Sequence, residues 1–165
     1  MRTIDVRHLL GHPGTSRMVS LDEPVAGLRM ELGGVPEGSP VAGELMLESV
    51  AEGVFVTGRI SSRIELTCAR CLRAFERDID VEVADLFAHG AEIGDESYPL
   101  DPGGSLDPEP MVRDAVLLAL PFTPLCRPEC LGLCERCGGD RNLGECTCTE
   151  PLGDPRWAGL ERLSN

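Results

Sequence analysis

Cys126-Arg-Pro-Glu-Cys130-Leu-Gly-Leu-Cys134-Glu-Arg-Cys137-Gly138-Gly139, followed by Cys146-Thr-Cys148, is the stretch that decides how this chain is organised. Six of the eight cysteines lie in it, and the remaining two form Cys68-Ala-Arg-Cys71 upstream. Eight thiolates make two sets of four, and four sulfurs are a common complement for a structural zinc ion. In a zinc knuckle, two thiolates two residues apart reach one ion from a tight turn whose backbone N–H groups point at the sulfurs. Cys134-Glu-Arg-Cys137-Gly138 has that form, with Gly138 supplying a residue tolerant of positive φ. The metal-ligand candidates are therefore Cys68, Cys71, Cys126, Cys130, Cys134, Cys137, Cys146 and Cys148, holding two Zn²⁺ or one.

Two partitions of these ligands are open. In the first, Cys134, Cys137, Cys146 and Cys148 make a local clip, and Cys68, Cys71, Cys126 and Cys130 make a site that spans more than fifty residues. In the second, Cys126, Cys130, Cys134 and Cys137 share one ion, and Cys68, Cys71, Cys146 and Cys148 share another. Chelating neighbours cost less entropy to gather, which favours the first. Other chemistries fit worse. Iron–sulfur ferredoxin spacing differs from this run, and a thioredoxin-like pair would need a helix start after Cys71, where strand-like sequence continues. Catalytic zinc keeps a position for water and often uses histidine, but His8, His12 and His89 lie outside the cysteine clusters. With no phosphate-binding loop and no nucleophile beside a base, the sequence points to a non-enzyme.

Outward from the cysteines, short apolar-alternating segments precede Cys68. Leu28, Met30 and Leu32 suggest one strand, Val41 to Val50 a second, Val54 to Ile60 a third, and Ile64 and Leu66 a fourth. After Cys71, Ile79, Val81 and Val83 alternate with Asp78, Asp80 and Glu82. Asp107-Pro108-Glu109 opens a helix through Leu120, apolar on nearly every face and therefore expected to be buried. A second Asp154-Pro155 start predicts a short terminal helix carrying Trp157, Leu160 and Leu163. The expected fold is α+β: an antiparallel β-meander packed on one buried helix, then a Cys-rich zinc segment and a short terminal helix. Its parts are an N-terminal segment 1–23, a sheet-and-helix unit 24–125 containing an acidic loop 88–106, and a zinc segment with terminal helix 126–165.

Charge separates two regions. Residues 78–110 carry ten acids and no base, whereas Arg59, Arg63, Arg70, Arg73 and Arg77 surround the first cysteine pair against only Glu65 and Glu76. Arg63, Arg70, Arg73 and Arg77 are candidate nucleic-acid contacts, and a solvated strand face is the alternative reading. The formal charge of −13 argues against long-range attraction to nucleic acid. No apolar run approaches the ~20 residues of a membrane span, and Met1-Arg-Thr-Ile-Asp-Val-Arg lacks a signal core, so a soluble cytoplasmic protein is expected.

Taken in order, Cys68-Ala-Arg-Cys71-Leu72, the acidic gap, Leu120-Pro121-Phe122-Thr-Pro124-Leu125-Cys126, Cys130-Leu-Gly-Leu-Cys134, Cys137-Gly138, Asn142-Leu143, Cys146-Thr-Cys148 and Asp154-Pro155-Arg156-Trp157 resemble the YceD family, the large ribosomal RNA subunit accumulation proteins. The similarity covers residues 20–163, and the opening Asp5-Val-Arg7-His-Leu9-Leu10 is similar to the N-terminus of actinobacterial-type members. The resemblance implies a non-enzymatic role in synthesis, processing or accumulation of large-subunit rRNA, with rRNA, a basic large-subunit ribosomal protein or both as partners. It also implies that Cys68 and Cys71 join the Cys126/Cys130 region, because some members keep the first pair and lack the later cysteines. A zinc-stabilised protein–protein adaptor unrelated to ribosomes is the alternative.

Overall fold

Val41, Leu45 and Leu47 are buried while Glu44, Met46 and Glu48 between them are exposed, a period of two that only a strand with one wet face produces. The computed structural model describes residues 1–91, 96–144, 146 and 148. Along the chain these form β1 (Ile4–Asp5), β2 (Ser16–Pro24), β3 (Arg29–Met30), β4 (Gly33–Gly34), β5 (Pro40–Ser49), β6 (Gly53–Thr67), β7 (Ala74–Ala88), β8 (Tyr98–Pro99), β9 (Ser105–Leu106) and α1 (Glu109–Ala119). The architecture is mostly antiparallel β with one helix. β5, β6 and β7 lie side by side in sequence order, β2 flanks β5, and β4 continues along the β6 edge beyond β5. β8 adds a short parallel pair at the end of β7, and β1 pairs with β9 in a separate two-stranded sheet.

Three strand expectations need correction. Leu28 to Leu32 is not one strand: within it only Arg29–Met30 is paired, folding back antiparallel onto Gly33–Gly34. The chain must turn at Leu32 because Gly33 lies against β6, where an added Cβ would sit 2.3 Å from the Glu65 carbonyl oxygen. Residues 16–24, which carry no clean alternation, form β2; only Leu21 of it is buried, as suits a flanking strand. The third and fourth strands are one continuous β6, because Gly58 and Ser61-Ser62, breakers by composition, sit in full register with β7. Within the acidic loop 88–106, β8 and β9 are formed, and residues 92–95 lie outside the described residues. The terminal helix expected around Trp157 also lies outside them.

One face of the sheet builds the core: Val54, Val56, Ile60 and Ile64 of β6 and Phe87 of β7 are fully buried. Val6 and Leu9 from the N-terminal segment enter the same core, as do Met111, Val112 and Val116 of α1. The helix begins as its sequence dictates. The Asp107 carboxylate accepts the Glu109 N–H at 3.0 Å, and the Pro108 carbonyl accepts from Val112 at 3.0 Å. Its burial, however, is one-sided: Met111, Val112 and Val116 are buried in the core and Ala115 and Leu117 pack against it, whereas Leu118 is 82% exposed. No helix among the described residues is long and apolar enough to cross a membrane.

Candidate metal centres

β6 and β7 are joined by a turn that carries Cys68 and Cys71. Cys68 N–H donates to the Arg73 carbonyl at 2.9 Å, and Leu72 N–H donates to the Cys68 carbonyl at 2.9 Å. The Cys134–Cys137 turn repeats this pattern: Cys134 N–H to the Gly139 carbonyl at 2.8 Å and Gly138 N–H to the Cys134 carbonyl at 2.8 Å. The residue after the second cysteine is left-handed in both, Leu72 at φ 57° and Gly138 at φ 70°. Glycine adopts this conformation freely and leucine does not, so the first turn is held by its surroundings.

Those surroundings are the chain that leaves α1. Ala69 N–H donates to the Pro124 carbonyl at 2.8 Å, Leu133 N–H donates to Arg70 at 3.1 Å, and the Arg70 guanidinium donates to the Cys130 carbonyl at 2.9 Å. These bonds bring Cys126 and Cys130 to the first pair. Cys68, Cys71, Cys126 and Cys130 form one tetrad and Cys134, Cys137, Cys146 and Cys148 another, with all sulfurs in each set within 4.8 Å of one another. This is the first of the two partitions.

Four sulfurs at ~2.3 Å from a central ion in tetrahedral geometry lie ~3.8 Å apart. Cys68 and Cys130 sulfurs are 3.8 Å apart, Cys71 and Cys126 3.7 Å, and Cys134 and Cys146 3.4 Å. These distances suit a shared ion and are far from the ~2.05 Å of a disulfide. All eight cysteines are free. Each tetrad could hold one metal ion.

The electrostatics point the same way. Burial opposes ionisation of Cys68, but the backbone N–H groups of Cys126, Cys71 and Arg70 outweigh it and bring the thiol down to about 6. Cys126, beside it, is pushed up to about 12 by burial and by the neighbouring Cys71 and Cys130 sulfurs. In the second tetrad, the N–H groups of Cys137 and Arg136 bring Cys134 down to about 6, and contact with Cys137 pushes Cys148 up to about 12. Each set thus has donors aimed at thiolates but cannot ionise fully, because negative sulfurs in contact repel. A divalent cation at the centre removes that conflict.

The family model for the large ribosomal RNA subunit accumulation protein YceD matches residues 56–164, a span that contains both tetrads. The chain belongs to the YceD family. An uncharacterised protein of Mycobacterium tuberculosis is 37% identical over 169 residues, covering 98% of this chain and 80% of the relative. An uncharacterised Mycobacterium bovis protein matches to the same extent, and one from Mycobacterium leprae is 33% identical over 142 residues, covering 81% of this chain and 64% of its own. No solved structure matches.

The four candidate arginines of this YceD-family chain do not share a face. Arg63 stands opposite Asp78 and Arg77 opposite Ile64, so the two project to opposite sides of the sheet. Arg63 bonds Asp78 at 3.3 Å, and Arg77 lies over the Phe75 ring at 5.8 Å. Arg70 holds the Cys130 carbonyl, and Arg73 bonds Asp140 at 3.1 Å. The last two are part of the metal region's framework.

Two residues of that framework lie outside the cysteine spacing. Asn142 accepts the Leu131 N–H at 2.9 Å and the Arg127 guanidinium at 2.8 Å, and its amide nitrogen lies 3.5 Å from the Cys130 sulfur. Asp140 accepts the Asn142 N–H at 2.9 Å and pairs with Arg73. Together they tie the second turn to the first tetrad. The spacing of the cysteines leaves such side-chain bridges invisible.

Proposed function

We propose that this protein is a non-enzymatic zinc-binding factor that supports accumulation of large-subunit ribosomal RNA. The family assignment supports this most directly. The tetrads support its chemical half: four thiolates fill a tetrahedral shell and suit zinc held for structure, with Cys68, Cys71, Cys126 and Cys130 on one ion and Cys134, Cys137, Cys146 and Cys148 on the other. A bound zinc would supply charge neutralisation and crosslinking in each set. The partners are large-subunit rRNA, a basic large-subunit ribosomal protein, or both.

Removing the protein from its cell should lower large-subunit rRNA relative to small-subunit rRNA, and unchanged ratios would sink the reading. Pull-down from lysate with and without ribonuclease then separates an RNA partner from a protein one. The arginines divide in that assay. Arg63→Gln with Arg77→Gln leaves the metal framework intact, and a flatter salt dependence of rRNA association would assign them to phosphate. An unchanged slope removes them.

The adaptor reading, a partner unconnected with ribosomes, is favoured by one observation: Arg59 and Arg63 already face carboxylates on an acidic strand. Absence of all ribosomal material from both pull-downs would favour it.

A further inference from the structure

β7 pairs with β6 along its whole length, but on its other edge only Phe87 and Ala88 have a strand beside them. Among the described residues no strand or backbone hydrogen bond occupies that edge from Ala74 to Leu86. The Ala88 carbonyl accepts from Leu100 on this side, and the β6–β7 register runs unbroken, so the backbone groups of every second residue turn outward. They belong to Glu76, Asp78, Asp80, Glu82, Ala84 and Leu86. Open strand edges are templates for pairing, and proteins usually cover them. The edge of β2 is shorter and tethered: Glu23 accepts the Arg2 N–H at 2.7 Å, and Arg17 reaches the Asp5 carbonyl at 3.3 Å.

The side chains beside the open edge specify what could pair there. Glu76, Asp78, Asp80 and Glu82 line the wet face, whereas Ile79, Val81 and Val83 on the other face are half-buried or buried. Arg63 and Arg59 offset part of that charge from β6, but these pairs are exposed and weak, and Asp80 stands opposite Ser61. A second copy of β7 would set acid against acid, and a nucleic acid would meet carboxylates. A strand alternating cationic and apolar residues satisfies both faces.

We propose that the free edge of β7 accepts an extended segment of a basic protein as an additional strand, its lysines or arginines over Glu76–Glu82 and its apolar residues continuing the inner face. The inference rests on the binding-factor reading above and narrows the protein partner to a chemistry.

The test uses the full, metal-loaded chain and a labelled peptide alternating lysine with valine, against a peptide of the same composition with its lysines in one block. The alternating peptide should bind at least about tenfold more tightly, weaken as salt rises, and slow amide exchange at Glu76 to Ala84. Asp80→Pro removes an outward N–H and no bond to β6, a kind of site where an edge strand tolerates proline. It should weaken binding about tenfold or more, with metal content and melting unchanged. Equal binding of both peptides, equal binding by Asp80→Pro, or protection of this edge by an rRNA fragment and not by the peptide would overturn the proposal. Should Asp80→Pro fold poorly, Glu76→Lys with Asp80→Lys takes its place. It must lose the lysine peptide and gain a glutamate–valine one, and retention of the lysine peptide counts against the edge. Large-subunit rRNA levels are read separately, so failure there sinks the biogenesis reading and failure with the peptide sinks the edge.

Discussion

The two tetrads share ligands and turn geometry but not surroundings. Cys68 and Cys130 are 0% and 1% exposed, with Phe75, Leu125 and Leu133 packed around them, whereas Cys137 lies at the surface. The first joins the β6–β7 turn to the segment after α1, some sixty residues on; the second closes a loop within fifteen. In a chain-entropy picture, closing the long loop stabilises by about 4 kcal/mol and the short one by about 3. Loop length alone therefore separates them by only about 1 kcal/mol. Burial makes the larger difference. Buried thiolates without their cation are costly, and Phe75 connects the first set directly to the hydrophobic core. With an ion in each set, the same coordination chemistry would give a staple of the fold in one place and a detachable clip in the other.

Replacing one ligand in each set probes that difference at its widest. Cys130→Ser should lose the buried metal and destabilise the whole chain by about 4 kcal/mol or more, lowering its melting temperature by roughly 10 °C. Cys137→Ser should reduce bound metal from two ions to one yet leave melting of the sheet within about 1 kcal/mol of the parent. Elemental analysis and thermal melts read both variants. Equal losses of stability would show that the sites are not divided into staple and clip. A chelator should likewise remove the exposed ion first, and simultaneous release would count equally against the distinction.

How much of this was open to sequence reading follows the range of the interactions. β5 and the outer half of β7 are legible because a half-buried strand writes its period into neighbouring residues. The paired knuckles are legible because chelation needs fixed local spacing. β2 is not, since its single buried residue, Leu21, leaves no pattern. The unity of β6 is hidden because Gly58 is demanded by the close approach of β5, where a Cβ would lie 2.2 Å from the Glu44 carbonyl oxygen. A turn-forming glycine and a glycine of close approach look alike in sequence. The helix start was legible at Asp107, but not which side chains of the helix meet the core, so Leu118 read as buried. Within the metal region the same limit applies to Asn142 and Asp140, whose partners are set by tertiary placement.

Asn142 is where the two regions touch, so its removal should have an intermediate effect. Asn142→Ala strips acceptors from Leu131 N–H and Arg127 and a donor from the Cys130 sulfur, a loss of about 1–2 kcal/mol. Both metals should remain bound, while exchange of the buried ion quickens. Combined with Cys137→Ser, the effect on that exchange should be less than additive, because detaching the clip already frees part of the bridge. Full additivity would mean that the tetrads do not communicate through Asn142.

The smallest effect belongs to Asp140 and is best resolved by pH. The N–H and side-chain amide of Asn142, and then Arg73, hold the Asp140 carboxyl below its ordinary value of 3.8. A carboxylate with a lowered folded pKa stabilises the folded form above its unfolded value and loses that contribution as pH falls through the folded one. Asp140→Asn should therefore weaken metal retention in the second tetrad by a small, constant factor throughout the neutral range. The gap from the parent should stay constant as pH falls, and competition with a chromogenic chelator measures it down to the pH where thiolate protonation releases the ion. A gap that instead grew on acidification would mean that Asp140 is held protonated in the fold, and the Arg73–Asp140 pair would no longer explain how the second turn is anchored to the first.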